Sequence, residues 1–445
     1  METRTHPARR TLQGAFLVTL AALVAACSEP PRRPNVLILS IDTLRADHLG
    51  CYGYERPTSP RIDDFAAGAI LFEEAHTTAP WTLPALASLH TGLTSSAHGC
   101  DRIETRLDTE YVTLAEHLRD AGWDTALVAC HVFLGSGYGL QQGFTHVDQH
   151  LITTAAELDQ SVTSPGMTER GLRFLEAKAG AADGVPWLLW LHYFDPHADY
   201  LVHEGFHEPF GTAREIDCYD GEIAFTDHHI GRVLAALDAL GLQQDTIVIL
   251  VADHGEEFGE HGDFRHGTNL YQEVMRVPLI LRAPGLGPAR IAEPVGITDV
   301  LPTLLELCGV PARRPMEGQS LLPLVRGEAG APRELLLEVR WRDGQDLRGL
   351  RHGAWKYCEY RQRGQGPDLL FDLAHDPRER HDRNRDDRAW TEAQRLVLDH
   401  ALDRARALSF DYPRPQVAAP SPADAGQLER LGYVGDDGRA TEAPR

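Results

Sequence analysis

Two apolar runs of strand length end in residues that bind cations: NVLILSI is followed by Asp42, and TIVILVA by Asp253 and His254. Taken singly, an aspartate at such a place starts a turn or caps the next helix. Brought to one sheet edge, two carboxylates repel unless a proton or a cation lies between them. An Asp, Asp, His set suits a divalent ion with open coordination positions. A third stretch, APWTLPALASLHTGL from Ala79 to Leu93, sets Thr82 at the head of an apolar, helix-spaced run. Its pattern predicts a helix beginning at Leu83, with Pro84 in the first turn and Thr82 as N-cap. That helix end also carries the positive pole of the dipole and favours an anion. Capping and nucleophilic chemistry are therefore both open to Thr82, and they are compatible. The histidines follow the same geography: His192 and His197 flank a Phe-Asp-Pro, His131 follows TALVAC, and His266 lies ahead of VPLILRAPG. Imidazole can ligate a metal, bind an oxyanion or protonate a leaving group.

The elements that must position these residues are strands at 35–42, 125–131, 187–197 and 246–255. Runs this apolar read as strands buried on both faces of a parallel sheet. Helical patterns lie between them, such as YVTLAEHLRDAG and DGEIAFTDHHIGRVLAALDALG, the latter stopped by Gly241. Such alternation predicts an α/β, doubly wound, mostly parallel sheet flanked by helices, with ligands beyond the carboxyl ends of the strands. After about residue 330, RELLLEVRW, LRGLRHGAWKYCEYR and DLLFDL read as short strands and RAWTEAQRLVLDHALDRARAL as an amphipathic helix. These predict a smaller C-terminal α+β subdomain at 331–411 after a catalytic domain at 35–330. The tail 412–445, rich in Pro and Ala, reads as extended.

The chain of 445 residues has 65 acidic and 43 basic side chains, a formal charge of −22. That balance argues against nucleic acid as a partner. Only two of the basic residues are lysines, Lys178 and Lys356, so a pocket that needs a cation must use Arg, His or a metal. At the N-terminus, Arg4, Arg9 and Arg10 precede the run GAFLVTLAALVAA and then Cys27. This matches a secretory signal over 1–26 and is too short to span a bilayer. LVAAC resembles a bacterial lipobox, which implies lipidation at Cys27, a tether over 28–34 and a membrane-anchored lipoprotein of the cell envelope, periplasmic or at the cell surface. An ordinary cleaved signal is the alternative, and either reading exports the protein. The six remaining cysteines show no repeating spacing and no CxxC pair, so no disulfide or zinc site is assigned.

Taken as a set, PNVLILSIDTLRADHLGCYGY, APWTLPALASLHTG, HYFDPH, YDGEIAFTDHHIG, VADHGEEFGEHG and HGTNLYQEVMRVPLIL resemble the sulfatases of the alkaline phosphatase superfamily. Later WKYCEY and LLFDLAHDP are similar to that family's C-terminal subdomain, so the resemblance covers roughly 34–410. It implies that Asp42, Asp253 and His254 ligate one divalent metal, and that Thr82 is the nucleophile and a further ligand. It places His197 and His266 at the transferring group or leaving oxygen, with His131 a looser match. Calcium is the family's habit, while His254 also admits manganese or zinc. The departures are equally specific. Thr82 stands where the family carries the Cys or Ser that is oxidised to formylglycine, and threonine cannot give that aldehyde. Leu86 replaces the motif's arginine, Thr43 a second adjacent aspartate, and His266 a pocket lysine. The implied activity is that of a formylglycine-independent, metal-dependent hydrolase or transferase that cleaves a sulfate, phosphate or phosphonate ester, on a small molecule or glycan, through a covalent intermediate on Thr82. A pocket with fewer cations disfavours highly charged phosphomonoesters. The rival expectation is a catalytically inactive lipoprotein of the same fold that binds a glycan or anionic polymer.

Overall fold

The computed structural model describes Met1 and residues 32–152, 162–181, 183–328, 332–341, 345–361, 366–409, 416–417, 422–430 and 433. The chain divides into Met1–Arg33 and a compact unit from Pro34 to Arg445. The expected signal segment and Cys27 lie outside the described residues. Among those described, no helix is long and apolar enough to cross a membrane.

Eight strands form the main sheet: β1 (Asn35–Ile41), β2 (Ile70–Phe72), β3 (Asp124–Val128), β4 (His146–Asp148), β5 (Trp187–Tyr193), β6 (Thr246–Ala252), β7 (Leu279–Arg282) and β8 (Ala289–Ile291). Their order is β8-β2-β7-β6-β1-β5-β3-β4, with β7 antiparallel to both neighbours and the other pairs parallel. Every residue of β5 and β6 is buried, which is why these runs show no polar alternation. Register fixes what happens at the carboxyl edge. Ile41 lies opposite Ala252 on one side and Tyr193 on the other, so Asp42 and Asp253 leave adjacent strands at the same level.

Helices flank the sheet in two groups. α1 (Pro60–Ala67), α4 (Ser164–Gly180) and α5 (Glu215–Ala239) pack together, as do α2 (Thr82–Thr91), α3 (Leu114–Asp120) and α6 (Val300–Cys308). Thr113 and Glu116 form a reciprocal capping box at the start of α3. Gly241, at φ 70°, stops the long α5 as its sequence predicts.

The C-terminal segments fold into an antiparallel meander of β9 (Glu334–Trp341), β10 (Gln345–His352), β11 (Trp355–Tyr360) and β12 (Leu369–Asp372), followed by α7 (Arg388–Ser409). LRGLRHGAWKYCEYR is thus two strands turning at Gly353, whose φ is 56°. This sheet is tied to the main body through Glu338, whose N–H donates to the Thr78 carbonyl at 2.8 Å and whose carboxylate accepts from the Ser96 N–H at 2.8 Å.

The tail departs from the extended chain its composition suggests. Gln416–Val417 pairs with Thr105–Arg106, and α8 spans Pro422–Arg430. The cause is tertiary: Leu428 finds full burial where α8 packs on the turn Val132–Leu134. Cys51, Cys100, Cys130, Cys218, Cys308 and Cys358 are all free thiols.

Candidate active site

The site is assembled from four strand ends and one helix start. Asp42 follows β1 and Asp253 with His254 follows β6. Each of the three offers a ligand atom within 4.8 Å of the others, and all are buried. Thr43, beside Asp42, holds φ at 54°, an uncommon conformation for a β-branched residue. Tyr219 of α5 clamps this turn, its hydroxyl donating to the Thr43 carbonyl at 2.7 Å and accepting from the Arg45 N–H at 2.9 Å.

The donor set fits a cation. Both Asp42 oxygens and Asp253 Oδ2 are buried without a protein hydrogen-bond partner. Burial pushes the Asp42 carboxyl up to about 8, and burial together with the Asp42 charge holds Asp253 well above the carboxylate range. Two ionised carboxylates in this place therefore need positive charge between them. His254 is turned towards the same point. Its Nδ1 bonds the Gly255 carbonyl at 2.9 Å, which leaves the Nε2 lone pair facing inward. That nitrogen lies 3.4 Å from Asp42 Oδ1 and 3.6 Å from Asp253 Oδ2. Asp42, Asp253 and His254 would hold the ion, with the Thr82 hydroxyl adjacent.

Thr82 is placed one residue differently from expectation. The helix begins at Thr82 itself, and Trp81, in extended conformation, is the N-cap without a side-chain cap bond. The hydroxyl does not cap the helix; it lies 3.2 Å from His254 Nε2 and 3.3 Å from the Tyr433 hydroxyl. With Pro84 third in the helix, Thr82 and Leu83 carry the first-turn N–H groups at this end. Leu86 points into the hydrophobic core, fully buried, and adds no polar group.

The histidines divide by hydrogen bonding. His131 Nδ1 accepts from the Phe133 N–H at 3.2 Å, so Nε2 carries the proton and faces Asp42 Oδ2 at 3.8 Å. Burial, then the neighbouring histidines, keep this ring neutral. His197 has the opposite arrangement. Its Nδ1 bonds the Ala198 carbonyl at 2.7 Å, and Nε2 is left as a buried acceptor. Burial lowers the ring to about 3. His266 Nδ1 lies 2.9 Å from Glu256 Oε1, and its ring is 5.1 Å from that of His197 and 4.5 Å from that of His254. Burial is the largest influence on the Glu256 carboxyl and raises it, but the charge and hydrogen bond of His266 with the charges of His197 and Arg265 together outweigh it, and the net shift is downward. All four of the catalytic residues expected from sequence thus converge with the metal triad on one strand-end pocket.

Three further residues belong to the pocket. Glu256 is legible in hindsight, since only Gly255 separates it from Asp253 and His254. His192, on β5, backs Asp42 with Nε2 at 3.5 Å from Oδ2 and Nδ1 at 2.9 Å from Ser40 Oγ. Tyr433 arrives from the tail, 1% exposed. Its only sequence signal is an aromatic just past the leucine-bearing LERLG. Neither lysine reaches the site: Lys178 pairs with Asp124, and Lys356 with Glu379.

The geometry agrees with what the chain resembles. A family model described as Sulfatase matches residues 34–310, and one described as N-sulphoglucosamine sulphohydrolase, C-terminal, matches 259–406. Mouse (Mus musculus) steryl-sulfatase is 26% identical over 85% of this chain and 83% of its own length. An arylsulfatase of Clostridium perfringens is 25% identical over 78% and 89%. The crystal structure of a phosphonate monoester hydrolase of Agrobacterium radiobacter superposes with a TM-score of 0.69 at 21% identity, covering 85% of this chain and 97% of the other.

Proposed function

Because this chain belongs to the sulfatase family, we propose that it is an exported, metal-dependent hydrolase of sulfate or phosphonate esters that works through a covalent intermediate on Thr82. The observation that carries this reading is the Thr82 hydroxyl, 3.2 Å from the inward nitrogen of His254 and at the mouth of the carboxylate pair. A divalent cation in that cradle supplies positive charge that favours an ionised hydroxyl and a charged transferred group.

The rest is done by the chain. Thr82 Oγ1 gives its proton to His197 Nε2 and attacks the sulfur or phosphorus, the bond to the alcohol oxygen breaks, and that oxygen takes the proton of His266, whose other nitrogen is bonded to Glu256. Water then attacks the same centre, losing a proton to the vacated His266 imidazole, and the bond to Thr82 breaks as Thr82 Oγ1 takes its proton back from His197. The N–H groups opening α2 would meet the bound anion, and the His131 Nε2–H, which lies towards Asp42 Oδ2, would reach it from the carboxylate side. Positive charge around the site comes from imidazole, the cation and Arg265, whose charge acts on His197 and Glu256, with no lysine near; this favours singly charged sulfate and phosphonate monoesters or phosphodiesters over phosphomonoesters. The reading also includes a lipid anchor at Cys27, which would hold the enzyme in the cell envelope against small-molecule or glycan esters.

The test is metal analysis of the purified protein with a panel of aryl sulfate, phosphonate, phosphodiester and phosphate esters. Turnover with bound metal is expected. Thr82→Ala should lower kcat by at least about a thousandfold with the fold intact, while Thr82→Ser keeps measurable rate. Intact mass after brief exposure to substrate should show an adduct on Thr82 whose mass identifies the transferred group. A protein with neither metal nor turnover would return the chain to the binding-only alternative. Cys27→Ser should move the protein from the membrane fraction to the soluble one.

A further inference from the structure

Two pieces of chain beyond α7 return to the catalytic body. Gln416–Val417 adds a short antiparallel pair to Thr105–Arg106. α8 packs on the turn that follows His131, with Leu428 fully buried, and Asp424 sits so close to Gly137 that a Cβ there would stand 3.3 Å from its carboxylate. Just past this helix the Tyr433 N–H donates to the Leu428 carbonyl at 2.7 Å, a bond of the kind that fixes a chain leaving a helix. The ring is then held edge-on by Phe133, with centroids 5.1 Å apart, and lies 6.1 Å from His131. Its hydroxyl ends 3.3 Å from Thr82 Oγ1.

This is a strongly determined place for a side chain that comes from 351 positions away in sequence. A plug would need only an apolar surface, whereas this ring brings a hydroxyl to the nucleophilic oxygen. At neutral pH a phenol is a hydrogen-bond donor. Any group bonded to Thr82 Oγ1 must carry its own oxygens within a bond or two of that contact.

We propose that Tyr433 is a catalytic residue supplied by the C-terminal tail, whose hydroxyl donates to an oxygen of the sulfuryl or phosphonyl group as it is transferred to Thr82. The proposal rests on the covalent reading of Thr82. An uncharged donor here stabilises the anion without adding charge, which suits singly charged esters. It also makes the tail part of the active site, so the segment past α7 is needed for catalysis as well as for packing.

The experiment uses the full-length, metal-loaded protein and Tyr433→Phe, which keeps the ring and removes the hydroxyl. Thermal unfolding should be unchanged. With the best ester of the panel, kcat should fall about 10- to 100-fold with KM changed less than about threefold, the signature of a contact made in the transition state. Inorganic vanadate, measured by calorimetry, should bind the variant about tenfold more weakly. Unchanged kcat, or a rise in Tyr433→Phe or Tyr433→Ala that marks the ring as a plug, would overturn the proposal. Should the wild type turn over no ester, the hydrolase reading fails by itself, and vanadate still decides the role of Tyr433. Weaker binding by the variant supports the donor, and equal binding or none in either protein rejects it.

Discussion

Two neighbouring histidines each have Nδ1 tied to an oxygen, one neutral and one charged. His197 gives its Nδ1 proton to a backbone carbonyl and presents a lone pair, whereas His266 is braced by the Glu256 carboxylate. In the proposed reaction the proton for the leaving alkoxide comes from His266, whose Nδ1 is tied to Glu256, and His197 is the acceptor. His266→Ala should therefore be sensitive to the leaving group. With alkyl esters the rate should fall about a hundredfold or more, and with nitrophenyl esters, which leave without a proton, less than about tenfold. Equal losses with both would remove His266 from the acid's role. The same scale shows how Thr82 differs from its sequence reading. Threonine at a helix start is most often a cap, and here the hydroxyl is turned from the backbone to the strand-end cradle.

At the scale of elements, several positions are fixed by partners distant in sequence. α1 begins at Pro60 after Ser59, a residue suited to capping, yet Ser59 makes no side-chain cap bond to the helix. Asp227 of α5 instead accepts from the Arg61 N–H at 3.0 Å and the Ile62 N–H at 2.8 Å, joining the two helices. Burial raises the Asp227 carboxyl to about 7, more than these two bonds lower it. The native state then binds the proton more tightly than the unfolded chain, whose value is 3.8. The contribution to stability is complete below the unfolded value and is lost as pH rises through 3.8 towards about 7. Asp227→Asn cannot ionise, so its Tm relative to wild type should climb between those limits. A constant difference across the window would show that Asp227 does not titrate there.

At the scale of the whole molecule, the C-terminal sheet is welded to the body that carries the site. Lys356 on β11 and Glu379 form a fully buried ion pair at 2.6 Å, and the second Glu379 oxygen accepts from the Gln272 N–H at 2.7 Å, in the segment leading to β7. Lys356→Met leaves that carboxylate unpaired and should cost about 3–5 kcal/mol in denaturant unfolding. Adding Glu379→Gln should restore most of the loss, since the amide keeps an acceptor for Gln272. A single variant as stable as wild type would show the pair to be neutral.

What the sequence determined by itself is local or periodic. Apolar runs that end in Asp42 and in Asp253 with His254 announce buried parallel strands and their ligand edge, because a strand covered on both faces has nowhere to keep polar residues until it ends. The meander, α7 and the Gly241 stop were legible for the same reason, as patterns of spacing and punctuation. Tertiary structure decided what depends on partners far along the chain. Whether the Thr82 hydroxyl turns to its own helix or to the strand-end cradle depends on where β6 sets His254, 172 positions away. In a tail whose composition reads as extended, α8 and Tyr433 are set in place because Leu428 and Tyr433 find a surface already built. Such choices are set by contacts between segments folded side by side, and no spacing within one segment records them.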